Sequence, residues 1–185
     1  MHWPSALHCG IRFLEAQNQQ TIVESIIHLS LRTPGPTRWN ATFDAVKRLL
    51  DIRVRDKLNC IMDALKLTRL TKHEIEVLDE YVQIMSPIAT ALDKLQGEED
   101  CFLGNLTPTI HQVHKHLLRV SSCVNHTKQL AAGLSDAVKS RFRHLFSFTC
   151  DSESTVYAAA AVCHPKLKLR WLAEDKRQCM KDCFM

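Results

Sequence analysis

The pair Arg38-Trp39, inside the run Thr37-Arg38-Trp39-Asn40-Ala41-Thr42-Phe43, has the side chains in this sequence best suited to hold a nucleic acid. A planar guanidinium contacts phosphate and stacks on π faces, and an indole stacks on an unpaired base. From spacing alone the plainer reading prevails, in which Trp39 is the first core residue of a helix and Arg38 its solvated neighbour.

Other residue sets suggest metal or acid chemistry and lack the pattern for it. His111, His114 and His116, with Cys101 upstream, offer imidazole and thiolate to zinc. No paired Cys-x-x-Cys accompanies them, so they read as a polar helix face on which His111 and His114 share a side. Cys179 and Cys183 read as free thiols, because helical geometry at that spacing disfavours a disulfide. Cys163-His164 is no nucleophile and base, since adjacent helical residues point apart. Asp44, Asp51, Asp56 and Asp63 invite a two-metal nuclease, whose ions sit about 4 Å apart. One helix is expected to carry all four, mostly opposite its apolar stripe, which makes them a solvated face. The sequence holds neither a glycine-rich phosphate loop nor a Gly-x-Ser-x-Gly turn. The residues therefore predict no catalytic group, no metal ligand, no cofactor and no small-molecule substrate; the chain is expected not to be an enzyme.

The elements that would position these residues are helices. Ile22, Ile26 and Leu29 recur at helical spacing within a segment from about Ile11 to Leu31, which Thr33-Pro34-Gly35-Pro36 ends as a hinge. From Trp39, the positions Phe43, Val46, Leu50, Val54, Leu58, Ile61 and Leu65 predict one helix of about seven turns, capped by Asn40 or Thr37. Thr71-Lys72-His73-Glu74 has capping-box spacing. It opens a stripe of Ile75, Leu78, Val82, Met85, Ala89 and Leu92, which Pro87 should kink or divide near Ser86. Beyond Gly97 and the acidic turn Glu98-Glu99-Asp100, Thr107 is placed to cap and Pro108 to start a helix burying Ile110, Val113, Leu117 and Val120 or Val124. A further helix from about Thr127 to Phe146 carries Leu130, Leu134, Val138, Phe142 and Leu145, and a short one covers Thr155 to Ala161. Without a convincing period-two strand or an internal repeat, the fold class is mainly α, a helical array or bundle. Its parts are an N-terminal helical segment at 1–33, a helical domain at 34–173 and a tail at 174–185.

Composition agrees. The 185 residues are 45% hydrophobic and 24% charged, with only 5 Gly and 6 Pro, which suits a helical core better than a β-sandwich. A net charge of +4 is too small to establish a nucleic-acid partner by itself. The basic runs Arg53-Val54-Arg55-Asp56-Lys57 and Lys166-Leu167-Lys168-Leu169-Arg170 read as solvated helix faces. Eight scattered Cys without a recognisable signal segment point to a reducing compartment. No run approaches the roughly 20 apolar residues a membrane span requires, so no membrane partner is expected.

Taken in order, Pro36-Thr37-Arg38-Trp39-Asn40-Ala41-Thr42-Phe43, Leu70-Thr71-Lys72-His73-Glu74, Leu95-Gln96-Gly97-Glu98, Ser140-Arg141-Phe142 and Ala160-Ala161-Val162-Cys163-His164-Pro165-Lys166-Leu167-Lys168 resemble hAT-superfamily transposases. The nearest likeness is to the transposase-derived proteins of vertebrates with BED-type zinc fingers, over about Pro36 to Leu172. That resemblance implies the central helical insertion of an RNase H-like core, which the Arg-Trp motif opens, without the BED finger and the C-terminal dimerisation segment. The family's first two catalytic Asp precede the Arg-Trp motif, and no Asp occurs between Met1 and Thr37. Near the end of the insertion the family reads roughly Leu-Asp-Pro-Arg-Phe-Lys; here the aspartate's place is taken by His164. The resemblance thus implies a catalytically incomplete, nuclear, transposable-element-derived domain with Arg38 and Trp39 near a DNA path. The expected partner is DNA; the alternative is a helical protein–protein interaction module, its partner another protein or a second copy.

Overall fold

The computed structural model describes residues 40–51, 56–97, 101–147 and 152–184. Arg38, Trp39, the segment read from Ile11 to Leu31, the hinge at Thr33 to Pro36 and the acidic turn Glu98-Glu99-Asp100 lie outside the described residues. The regular structure of the described residues is helical, as the sequence predicts: α1 (Ala41–Leu50), α2 (Leu58–Ala64), α3 (Lys72–Gln96), α4 (Leu103–Ser121), α5 (Lys128–Arg141), α6 (Arg143–Phe146), α7 (Ser152–Cys163) and α8 (Glu174–Phe184). The chain divides into two compact units, Met1–Ser86 and Pro87–Met185.

In the first unit, α1 buries Phe43, Ala45, Val46 and Leu49. Asn40 occupies its N-cap place, yet the side chain makes no cap bond; the backbone carbonyl alone accepts from the Asp44 N–H at 2.8 Å. The single seven-turn helix predicted from Trp39 to Leu65 is not formed. Asp51, with ψ 137°, leaves the helical region, and α2 begins only at Leu58. Asp51 is a weak helix former, and the apolar spacing that runs past it carries no sign of the break.

The end of α2 is a Schellman cap. Leu67 donates its N–H to the Met62 carbonyl at 2.8 Å and Lys66 donates to the Asp63 carbonyl at 3.1 Å. Lys66 takes the left-handed conformation this requires, with φ 54°, where glycine is the usual residue. At the start of α3 the predicted capping box is formed: Glu74 N–H donates to Thr71 Oγ1 at 3.2 Å, and Thr71 N–H donates to Glu74 Oε2 at 2.9 Å. Within the first unit α3 buries Val77, Leu78, Tyr81 and Ile84, while Ile75, Val82 and Met85 are only half-buried, so the buried face is rotated from the predicted stripe. Helix α3 runs through Pro87 as one element, in place of two helices meeting at Ser86. The boundary between the units falls at that proline.

The second unit is built on α4, which packs against both α5 and α7, with α6 touching all three. Helix α4 buries Ile110, Val113, Leu117 and Val120, and Val124 just beyond it is buried too. It starts at Leu103, earlier than the predicted Thr107 cap, so Pro108 lies inside the helix. Thr107, fully buried, instead donates its hydroxyl to the Tyr157 carbonyl of α7 at 3.5 Å. Gly104 explains the close approach of the two helices: a Cβ there would stand 2.5 Å from the Ala160 carbonyl oxygen and 3.2 Å from His164 Cβ.

The predicted helix from Thr127 to Phe146 is broken at Phe142, whose φ −109° and ψ 29° separate α5 from α6. Its buried residues are Ala131 and Ser135, with Leu130, Leu134 and Val138 half-buried, since the small side chains let backbones pack closely. Helix α8 occupies the region read as a tail, and Met180 joins Ala158 and Leu172 in a core cluster flanked by Val162, Leu169 and Trp171.

Candidate functional site

The predicted nucleic-acid pair, Arg38 and Trp39, lies outside the described residues; the helix that follows it is α1. The acidic set is dispersed over four settings in the first unit. Asp44 is on α1, Asp51 ends it, Asp56 sits in a turn, and Asp63 is on α2, all exposed. Asp63 makes a two-pronged pair with Arg69, whose Nε donates to Oδ1 at 2.8 Å and whose terminal nitrogen bonds Oδ2. Hydrogen bonding to that guanidinium holds the Asp63 carboxyl below the usual carboxylate range.

In the second unit the titratable side chains meet on the face of α4 that looks toward α6 and the segment after α7. Residues 107, 111, 114 and 118 advance by four, three and four, so they form one helical stripe. His111 is the centre of that stripe. Its Nε2–H donates to the Leu145 carbonyl at 2.8 Å. The imidazole lies over Phe146 with ring centroids 4.5 Å apart and 30° between planes, and presents an edge to Trp171 at 5.1 Å. His114, one turn on, meets Phe146 edge-on at 5.0 Å. Two further pairs of this kind, His144 with Tyr157 at 5.6 Å and Phe102 with His164 at 6.2 Å, belong to the same unit.

Burial works against the charged form of His111 and His114. Burial pushes the His111 pKa down from 6.5, the Leu145 carbonyl opposes that, and Lys176 and His114 add to it. His114 is lowered first by burial and then by Lys139, against Asp136. An imidazole donating from Nε2 and walled by aromatic rings is a packing and hydrogen-bonding device.

His111 and His114 share a side as predicted, whereas His116 points elsewhere, with its Nδ1 3.0 Å from an Arg119 nitrogen. Cys101 donates its thiol to the Leu95 carbonyl at 3.3 Å. Cys163 is exposed, and His164 turns its Nδ1 to the Lys166 N–H at 3.3 Å. The side chains of Cys179 and Cys183 lie outside the described residues. Sequence reasoning missed Phe146 and Trp171 as the rings around His111. Their separation from it, 35 and 60 residues, leaves no local signal for the contact.

No helix among the described residues is long and apolar enough to cross a membrane. Comparison with protein-family models, with curated proteins and with solved structures finds no match to this chain.

Proposed function

We propose that this chain is a catalytically incomplete helical domain derived from an hAT-type transposase, acting in the nucleus and associating with DNA through Arg38 and Trp39. The observation that carries this reading is the order and spacing of the motifs from Pro36 to Lys168, headed by the Arg-Trp pair. Guanidinium contact with phosphate and indole stacking on an unpaired base supply the attraction. The dispersed, exposed aspartates of the first unit suit this reading better than they suit a cleft holding two ions.

Replacing Arg38 and Trp39 with Ala is expected to weaken binding of a labelled oligonucleotide by the worth of a base stack, about 1–3 kcal/mol, without changing the helical circular dichroism. Unchanged affinity would remove Arg38 and Trp39 from the proposal. Divalent-metal-dependent strand cleavage that a single acidic substitution abolishes would overturn the claim of catalytic incompleteness.

A second reading, a helical protein-interaction module, draws on large apolar side chains left in solvent: Leu118 on α4 is 54% exposed and Val156 on α7 56%. Under that reading Trp39→Ala leaves partner binding intact.

A further inference from the structure

From Cys101 to the end the chain carries twelve Lys and Arg against six Asp and Glu, twice as many cations as acids. Three of those cations, Lys166, Lys168 and Arg170, follow α7 at alternate positions, and all three are exposed. Leu167, Leu169 and Trp171 between them are half-buried. The run that composition reads as a solvated helix face is therefore no helix: it is a series of tight turns that turns its apolar residues in and its cations out.

The turns are fixed from within. Leu167 and Lys168 donate their N–H groups to the His164 carbonyl at 3.1 and 3.0 Å, and Arg170 donates to Leu167 at 3.0 Å. Trp171 Nε1–H donates to the Lys168 carbonyl at 2.9 Å. From α8, Arg177 Nε lies 3.1 Å from both the Leu169 and the Leu172 carbonyls. None of Lys166, Lys168 and Arg170 makes an ion pair among the described residues.

Lys168 stands at φ 49°, a left-handed conformation that disfavours side chains with a Cβ. Its N–H bond to the His164 carbonyl holds that turn, as the cap bonds hold Lys66. Beside the turns lies an exposed ring. Phe102 is 57% exposed, 6.2 Å from the His164 ring whose Nδ1 meets the Lys166 N–H. The Gly104 approach, which holds the start of α4 flush against the end of α7, fixes Phe102 there.

We propose that Phe102 with Lys166, Lys168 and Arg170 forms a binding site for single-stranded nucleic acid, the ring stacking on an unpaired base and the three cations holding consecutive phosphates. An aromatic platform next to a row of cations is the combination that such strands recognise. A duplex keeps its bases stacked and gives Phe102 no partner. The cation-bearing segment keeps Leu167, Leu169 and Trp171 half-buried, so insertion into a bilayer would fall to Phe102 and Leu103 beside it, a small apolar surface for that purpose. The site is separate from Arg38 and Trp39 and stands or falls apart from them.

The test is binding of a fluorescent oligothymidylate to the full chain across a salt series. Changing Lys166, Lys168 and Arg170 together to Gln is expected to reduce the slope of log affinity against log salt by about 2, the worth of three single-strand phosphate contacts. Phe102→Ala is expected to weaken binding roughly 5- to 150-fold with the slope unchanged. Lys168→Gly separates recognition from folding: the variant melts no lower than the parent and loses about 0.7 of slope, whereas Lys66→Gly leaves binding as it was. The proposal is overturned if the triple variant keeps the parental slope, if Phe102→Ala binds as the parent does, if duplex binds as tightly as single strand, or if anionic phospholipid vesicles compete as well as oligonucleotide. Loss of binding in the Arg38 and Trp39 variant with no effect of these four residues refutes this site and keeps the earlier one. The reverse result keeps this site alone.

Discussion

His111 shows how one side chain can tie three segments together. Its Nε2–H satisfies the Leu145 carbonyl, one face covers Phe146, and Trp171 closes the edge. His111→Phe keeps a ring of similar size and removes the donor, so the buried carbonyl is left unpaired at a cost of about 1–3 kcal/mol. Urea unfolding at neutral pH reads that loss directly; a midpoint equal to the parent's would show that the carbonyl is satisfied otherwise. The same residue makes stability depend on pH. The folded state lowers the pKa of His111 and His114 from 6.5, so on acidification the unfolded chain takes up the proton first. Their contribution is complete above about pH 6.5 and is lost as the pH falls through the lower, folded values. Unfolding midpoints at pH 7.5 and 5.5 should therefore fall in the parent, and fall less in His111→Phe.

At the scale of elements, two positions are set by backbone geometry. Lys66 occupies the left-handed place of the α2 cap, and Lys66→Gly is expected to stabilise the chain by up to about 1 kcal/mol by removing the Cβ conflict. A lowered melting temperature would count against that account. Gly104 is the opposite case. Gly104→Ala drives a methyl group toward the Ala160 backbone and is expected to cost about 1–3 kcal/mol in chemical unfolding, with a change inside 0.5 kcal/mol contradicting the crowding.

The elements also show which signals in the sequence could be trusted. The Thr71 to Glu74 capping box was legible because its two hydrogen bonds are local and follow from four residues. The buried stripe of α4 was legible because Ile110, Val113, Leu117 and Val120 keep helical spacing in a helix that is uninterrupted there. The break at Asp51 was not, because apolar spacing continues in phase on both sides of it. Thr107-Pro108 carries a strong start signal, yet α4 begins at Leu103, where Phe102 offers no capping side chain and tertiary packing at Gly104 decides.

For the whole molecule, the mainly helical class was legible in the sequence, whereas the division at Pro87 was not: that proline reads there as a kink or break inside one domain at 34–173, and α3 runs through it. The ring cluster around His111 was illegible, since its partners come from α6 and from beyond α7. The alternate cations at Lys166, Lys168 and Arg170 were legible as residues but were assigned to the wrong element. Period-two alternation with the leucines between them was the available sign that this stretch is not helical. Positive charge is therefore better judged by where the chain presents it than by a total of +4.

Cys60, Cys101, Cys123 and Cys163 are free and face solvent. A chain so equipped, kept in air without reductant, links to its own copies through sulfur and gives covalent multimers. Their sizes on a gel-filtration column would record exposure to oxygen, and not any affinity of one copy for another.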